Sequence, residues 1–185
     1  TWGTNASGTT PSTSFTNNAQ VSKDTETGNY YVTAKACDTA GNCTTVTSNV
    51  FKLDNIAPTI TFGTNGNSNW SKTHSTTINV LDSHSGEDTT TFKYTWGTNA
   101  SGATPTTSFV NGAEVSKDTE TGNYYITAKA CDNAGNCTTV TSNVFKFDNT
   151  APTCTFTGEN TTWTRNNVTV TVTCNDLNGS FKSFE

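Results

Sequence analysis

The strongest constraint on this chain is an internal duplication. Residues 1–58 and 95–152 align without a gap at a shift of 94 positions, and 49 of the 58 aligned positions are identical. A period of that size exceeds the roughly 20 to 50 residues of solenoid repeats and matches the length of a small domain. The duplication therefore predicts a tandem array of similar modules.

The boundary between modules is marked by a recurring segment. Leu-Asp-Asn-Ile-Ala-Pro-Thr at residues 53–59 returns as Phe-Asp-Asn-Thr-Ala-Pro-Thr at residues 147–153. Proline removes a ladder donor and stiffens the connection, as in a short semi-rigid linker. We expect residues 55–148 to form a complete module, residues 1–54 the C-terminal part of another, and residues 149–185 the N-terminal part of a third.

The composition favours strands over helices. Hydrophobic residues make up 31% of the 185 residues and charged residues 14%, whereas Thr, Asn and Ser together account for 82. Thr favours strands and Asn, Ser and Gly favour turns, so an all-β chain with a thin core is predicted. The strands that alternation predicts in the complete module are 59–62, 76–81, 90–96, 113–116, 123–131 and 137–147.

The strand predicted at residues 123–131 has two distinct faces. The residues expected to point inward are Tyr124, Ile126, Ala128 and Ala130. The residues expected to face solvent are Tyr125, Thr127 and Lys129. Five to seven such strands with frequent turn signals indicate an antiparallel sandwich.

Glu-Thr-Gly-Asn-Tyr-Tyr-Ile at residues 120–126 resembles the tyrosine-corner signature that precedes strand F in immunoglobulin folds. The sequence of residues 122–136, followed by Asp-x-x-Ala-Pro, resembles the bacterial Ig-like repeats of large surface proteins and adhesins. The resemblance implies tandem Ig-like antiparallel β-sandwich modules in an extracellular bacterial setting, at the cell surface or cell wall. It also implies a core signature of Trp96, Tyr124 and Ile126.

Six cysteines suit an extracellular setting, where oxidised pairs persist. Two pairs flank an Ala-Gly-Asn turn, which brings facing side chains of a hairpin within bridging distance, and the remaining two cysteines pair by elimination. The predicted disulfides are Cys37–Cys43, Cys131–Cys137 and Cys154–Cys174. A metal cluster is the alternative, but it needs converging thiols, and these cysteines lie in separate modules.

Several acidic residues lie in loops that an Ig topology brings to the pole where the chain enters the module. Asp82, Glu87, Asp88 and Asp132 are expected to converge there near Asp54 of the linker. Loop oxygens are the ligands that Ca²⁺ requires, so Asp54, Asp82 and Asp132 form a candidate calcium site. The alternative is that Asp82 and Asp132 bond to their own turns as Asx motifs, which needs no metal. No other cofactor is expected.

Charge and composition exclude several function classes. A net charge of −5 argues against nucleic acid or an anionic membrane as partner, and no apolar run approaches the roughly 18 residues of a membrane span. The two histidines, His74 and His84, lie in one module and are not duplicated. A Ser-His-Asp centre would make one module of the array an enzyme, so no catalytic activity is expected.

These observations favour a non-enzymatic stalk or fibre module of a long bacterial surface protein, which extends and mechanically supports a distal element. Its partners would be neighbouring modules of the same protein. The alternative is an adhesin module that binds a host glycan or protein. Trp70 and Trp163, in polar loops, are either exposed platforms for a sugar or covers for the end of a thin sandwich.

The two ends of the sequence look like complementary parts of one module. The sequence begins without Met or a signal-like segment, and Ser-Phe-Glu at residues 183–185 resembles Thr-Phe-Lys at residues 91–93. Residues 149–185 would supply the first two strands of a module and residues 1–54 the others. We expect a window on a continuous array, with head-to-tail self-assembly by strand addition as the alternative.

Overall fold

The computed structural model describes residues 1–178 and 181–183 and consists of strands joined by turns. Phe184 and Glu185, which carry part of the terminal resemblance to residues 91–93, lie outside the described residues. The described residues contain no helix that is long and apolar enough to cross a membrane. The all-β expectation is therefore confirmed.

The strands before the first linker are β1 (Trp2–Gly3), β2 (Gly28–Cys37), β3 (Cys43–Thr47) and β4 (Phe51–Leu53). The next nine are β5 (Thr59–Phe62), β6 (Asn67–Ser71), β7 (His74–Leu81), β8 (Glu87–Gly97), β9 (Thr107–Ser108), β10 (Glu114–Lys117), β11 (Gly122–Asp132), β12 (Cys137–Thr141) and β13 (Phe145–Phe147). The last two are β14 (Thr153–Thr157) and β15 (Thr171–Asn175).

The strands form four sheets. The first has the order β1-β2-β3, with β4 also paired to β2. A three-stranded sheet has the order β10-β7-β5, and a six-stranded sheet has the order β6-β13-β11-β8-β9, with β12 paired to β11. Strands β14 and β15 form an antiparallel hairpin, whereas β13 pairs with β6 in parallel. This arrangement is an Ig-like β-sandwich, with a four-stranded sheet before it and a two-stranded hairpin after it along the chain.

The chain divides into two compact units, and each draws on three stretches of sequence. The first unit contains Thr1–Ile60, Val80–Phe92 and Lys129–Thr138. The second contains Thr61–Asn79, Lys93–Ala128 and the residues from Thr139 onward. The buried residues of the first unit are Tyr30, Thr33, Pro58, Ile60, Val80, Phe92, Ala130, Cys131 and Asp132. The division at residues 54/55 and 148/149 stays a prediction.

The core of the second unit is an aromatic cluster around β13. Phe145 and Phe147 are fully buried. The Trp96 ring packs edge-on against both, at centroid distances of 5.2 and 5.7 Å, and His74 and Tyr124 pack against Phe147 at 4.9 and 5.5 Å. Edge-to-face pairs of this kind add to the free energy gained by burial.

The tyrosine of the core signature hydrogen-bonds a side chain, whereas the hydroxyl of an immunoglobulin tyrosine corner bonds the main chain. Tyr124 is half-buried, and its hydroxyl donates to the Glu120 carboxylate at 2.9 Å rather than to the main chain. Ile126, two residues further along β11, is fully buried. The expected inward direction holds for Ile126, Ala128 and Ala130, and in part for Tyr124.

Thr127 was expected to face solvent, and this expectation is wrong because Thr127 is 3% exposed. Its hydroxyl oxygen accepts the N–H of Ala103 at 3.0 Å and lies 3.2 Å from the Thr141 hydroxyl. The neighbouring Gly102 has no side chain to keep the loop at a distance. A threonine that hydrogen-bonds a packed loop can be buried where alternation predicts exposure.

The single strand expected over residues 137–147 is in fact two strands, β12 and β13. The Ser142 hydroxyl oxygen accepts the Ile126 N–H at 2.9 Å, in place of a main-chain carbonyl of the neighbouring strand. The Ser142 N–H still donates to the Ile126 carbonyl oxygen at 2.8 Å. A side chain thus interrupts the ladder and ends β12.

Candidate metal centre

Asp54 follows β4 and lies in a turn that its own side chain stabilises. Its Oδ1 accepts the N–H of Ile56 at 3.0 Å, and its Oδ2 accepts the N–H of Ser85 at 2.9 Å. The Ser85 side chain and then the Ile56 N–H lower the pKa of the Asp54 carboxyl group. The Asp54 carboxylate is therefore charged and held in one orientation.

Asp82 lies directly after β7, in the turn that leads to β8. Its Oδ1 accepts the N–H groups of His84 at 3.1 Å and Gly86 at 2.7 Å. Gly86 has a φ of 79°, a left-handed conformation that glycine adopts without steric cost. The Asp82 N–H donates to Glu87 Oε1 at 3.1 Å, and this bond lowers the pKa of Glu87. The turn thus fixes the direction of the Asp82 carboxylate.

Asp132 ends β11 and is 2% exposed. Its Oδ1 accepts the N–H groups of Ala134 and Asn136, each at 2.9 Å, and its Oδ2 accepts the Asn136 side-chain amide at 2.8 Å. The same amide also donates to the main-chain oxygen of Asp54 at 3.0 Å. Asn136 therefore joins the loop after β11 to the linker.

The three carboxylates converge in the first unit. One oxygen from each of Asp54, Asp82 and Asp132 lies within 4.8 Å of the others. Calcium ligands lie at about 2.3–2.6 Å from the ion, so oxygens around one ion are up to about 5 Å apart. Asp88 is not one of the three, and its carboxylate accepts hydrogen bonds from Thr90 in its own turn. The donor type and the spacing of the three oxygens fit Ca²⁺.

The carboxylates form Asx hydrogen bonds in their own turns and also lie close to one another, so both arrangements are present. An ionised carboxylate offers roughly four lone-pair sites, and the turn bonds take two or three of them on each side chain. Within residues 1–178 and 181–183, the ion pairs are Lys23–Glu26 and Lys117–Glu120, and neither involves this cluster. Three negative charges thus lie together without a lysine or arginine partner.

A second copy of the Asp132 loop shows which of these bonds are local. Asp38, the equivalent of Asp132, accepts the main-chain and side-chain N–H groups of Asn42, each at 2.8 Å. Asp38 is nevertheless exposed. The loop therefore forms from its own sequence, and burial beside Asp54 is a separate property of Asp132.

Disulfides close the loops next to these residues. The three disulfides of the structure are Cys37–Cys43, Cys131–Cys137 and Cys154–Cys174. Cys37 faces Cys43 across β2 and β3, and Cys154 faces Cys174 across β14 and β15. The Cys131–Cys137 bridge spans the loop that carries Asp132, so it restricts the geometry of the candidate site.

The two histidines differ in burial and in hydrogen-bond partners. His74 is buried against the aromatic cluster, and its Nε2 lies 2.9 Å from the Lys146 carbonyl oxygen. His84 is exposed, and its Nδ1 lies 3.1 Å from the Ser83 hydroxyl. The Asp82 carboxylate accepts the main-chain N–H of His84 rather than a ring N–H.

A surface pocket of about 480 Å³ in the second unit contains one of the two loop tryptophans. Trp70 is 38% exposed, Asn69 and Asp148 also line the pocket, and Lys146 Nζ lies 5.5 Å from the centre of the Trp70 ring. Trp163 is fully exposed. Neither tryptophan is the buried cover that was one of the two expectations.

Residues 13–104 match the family model of the bacterial Ig-like domain, group 3. The matched stretch takes in all the strands from β2 to β8. No curated protein and no solved structure matches the chain. Bacterial Ig-like domains are generally non-enzymatic, and the family together with the disulfides is consistent with an extracellular location.

Proposed function

We propose that the chain is a structural segment of a long cell-surface protein, because residues 13–104 match the bacterial Ig-like family model. It would extend and mechanically support a distal element, as a stalk or fibre module. The observation that carries this proposal is that hydrogen bonds hold Asp54 of the linker against two loops. The Asp54 carboxylate accepts the Ser85 N–H, and the main-chain oxygen of Asp54 accepts the side-chain amide of Asn136.

The repetition of local structure also supports a structural role. Tyr30 donates to Glu26 at 2.6 Å, just as Tyr124 donates to Glu120 at 2.9 Å. Both copies therefore keep a hydrogen bond that stabilises the fold, which suits a module that is repeated to lengthen a stalk.

Limited proteolysis tests this role for the linker. We expect Asp54→Ala to increase the rate of cleavage within residues 54–58, because two N–H groups lose their acceptor. Asp148→Ala is the matched control, since Asp148 is the equivalent of Asp54 and accepts the N–H of Thr150. Unchanged cleavage at residues 54–58 in Asp54→Ala would contradict the proposal.

Calcium is the second part of the proposal. Asp54, Asp82 and Asp132 would each supply one carboxylate oxygen, and a divalent cation would neutralise most of their charge. The ion would bind the linker and two loops at once, which stabilises the folded arrangement through ligand linkage.

Calorimetric titration with CaCl₂ tests this site. We expect heat of binding with the unaltered chain and its loss in Asp132→Asn. Asp38→Asn is the matched control, because Asp38 makes the same loop bonds but is exposed and lies outside the cluster. Equal binding by both variants, or no binding by the unaltered chain, would leave the Asx bonds as the whole role of these carboxylates.

Adhesion to a host glycan is the second candidate function, and the pocket at Trp70 favours it. A partly exposed indole beside amide and carboxylate groups is suited to stacking on a sugar and binding its hydroxyl groups. A glycan array with the unaltered chain and with Trp70→Ala separates the two functions. Competable binding that Trp70→Ala abolishes would establish the adhesin role.

A further inference from the structure

The two copies of the duplicated sequence differ in how far they bury the same residues. Phe109 and Val115 of the complete module are 8% and 7% exposed. Their equivalents Phe15 and Val21 are 51% and 53% exposed. Because the two sequences are nearly identical, the difference in exposure comes from the segments that pack over these residues.

The exposed residues line a groove. Its volume is about 830 Å³, and its walls include Trp2, Phe15, Val21, Val32 and Ala34. All of these belong to the first unit. The groove therefore presents a sheet face that its copy buries.

One strand of the complete module is also missing from the first copy. β10 pairs antiparallel with β7, and Val115 lies opposite Thr76. The equivalent of β10 is residues 20–23, which belong to no strand. A strand thus forms where the partner β7 is present.

The hairpin of β14 and β15 carries the sequence pattern of β5 and β7. The buried residues of β7 on this face are His74, Thr76, Ile78 and Val80. Their equivalents at the shift of 94 are Val168, Val170, Val172 and Cys174. The three valines are 44% to 55% exposed. Residues 168–172 therefore expose three valines, and the groove exposes the apolar surface that the equivalent residues of β7 cover in the other copy.

We propose that the groove of residues 1–54 binds the β14–β15 hairpin of a second copy of this chain and so completes a sandwich. The added strand would pair antiparallel with residues 20–23, in the register that β7 and β10 use. The predicted partners are Gln20 with Thr171, Val21 with Val170, Ser22 with Thr169, and Lys23 with Val168. This goes beyond the proposed stalk function, because it gives the chain a head-to-tail interface.

The contact is heterologous, because one copy supplies the hairpin and the other supplies the groove. Each bound copy still has one free groove or one free hairpin, so association continues until a ring closes or a filament grows. The sheet of the groove and the β14–β15 pair are already formed, whereas residues 20–23 and 168–170 belong to no strand and would become ordered on binding.

Analytical ultracentrifugation of the full chain over a concentration series tests the proposal. We expect concentration-dependent oligomers and at least about tenfold weaker association for Val170→Asp, which places a charge in the apolar groove. Thr169→Asp is the matched control, because neighbouring strand residues point to opposite faces. It should associate as the unaltered chain does.

Mixing two variants gives the sharpest result. Val21→Asp blocks the groove but keeps the hairpin, and Val170→Asp blocks the hairpin but keeps the groove. Each should stay monomeric alone, and the mixture should form a 1:1 dimer that grows no further. Disulfide mapping of each variant checks that Cys154–Cys174 is intact and the hairpin therefore closed.

The register is tested by mixing Val21→Cys with Val170→Cys. All six native cysteines are in disulfides, so the introduced thiols are the free ones. We expect a bridge between residues 21 and 170 of different copies, and much less bridging when Ser22→Cys replaces Val21→Cys. A chain that stays monomeric at every concentration, or association that Val170→Asp leaves unchanged, would overturn the proposal.

Discussion

The side-chain amide of Asn136 donates to the main-chain oxygen of Asp54 at 3.0 Å, across 82 positions of sequence. It also donates to Asp132 Oδ2 at 2.8 Å. Asn42 is the equivalent of Asn136. In the described part of the chain, the side-chain amide of Asn42 donates only to Asp38 of its own loop. In the described residues, the same loop sequence thus contacts Asp54 of the linker in one copy and its own loop in the other.

This difference predicts unequal effects of the same substitution. We expect Asn136→Ala to lower the free energy of unfolding by about 1–3 kcal/mol, because it leaves a buried carboxylate oxygen and a linker carbonyl without a donor. Asn42→Ala should cost less, since the Asp38 loop is exposed and water can replace the amide. Urea unfolding of both variants measures the difference, and equal costs would contradict the connecting role of Asn136.

Two of the disulfides provide a second matched comparison. Removing either six-residue bridge should cost about 2.4 kcal/mol in loop-closure entropy. Cys131 is 7% exposed, whereas Cys37 is exposed, so the Cys131→Ser/Cys137→Ser variant also places a hydroxyl in a buried position. We expect it to lose more stability than Cys37→Ser/Cys43→Ser in denaturant unfolding. The reverse order would be incompatible with the burial of Cys131.

The carboxyl group of Glu120 provides a prediction about pKa. Hydrogen bonds from Tyr124 and then Lys117 lower the pKa of Glu120. Tyr124→Phe removes the first donor while keeping the ring, so we expect the pKa of Glu120 to rise toward its ordinary value of 4.5. NMR titration of the Glu120 carboxyl carbon measures this. Tyr125→Phe is the control and should leave the titration unchanged.

The same group predicts a dependence of stability on pH. A carboxyl group with a lowered folded-state pKa stabilises the fold above its unfolded pKa and loses this contribution as pH falls through the folded-state value. We therefore expect stability to fall as the pH drops below about 4.5, with a shallower decline in Glu120→Gln. Melting temperatures over an acid pH series measure it, and parallel curves for the two proteins would argue against a contribution from Glu120.

Much of the sandwich follows from alternation, and the exceptions have identifiable causes. β5 has the predicted bounds, and β7, β8 and β11 extend the predicted strands at one or both ends. β6 was not predicted, because Asn-Ser-Asn-Trp-Ser has no apolar alternation. It becomes a strand by parallel pairing with β13, in which Asn67 lies opposite Phe145.

The candidate site was predictable in part. The topology implied by the resemblance indicated that Asp54, Asp82 and Asp132 would lie at one pole, and their oxygens lie within 4.8 Å of one another. Whether they bind calcium stays a prediction. The link from Asn136 to Asp54 was not predicted, because it joins residues 82 positions apart and the local loop sequence does not specify so distant a partner. Tertiary placement, not local sequence, decides what the amide reaches.

Force spectroscopy on the chain, pulled from its two ends, tests the structural role most directly. We expect one resolved unfolding event for the complete module, with a contour-length gain of roughly 300 Å while the Cys131–Cys137 bridge is closed. The force of that event should fall in Asn136→Ala and stay the same in Asn42→Ala. Extension at low force without a resolved event, or equal forces in all three proteins, would contradict a stalk held together at Asp54.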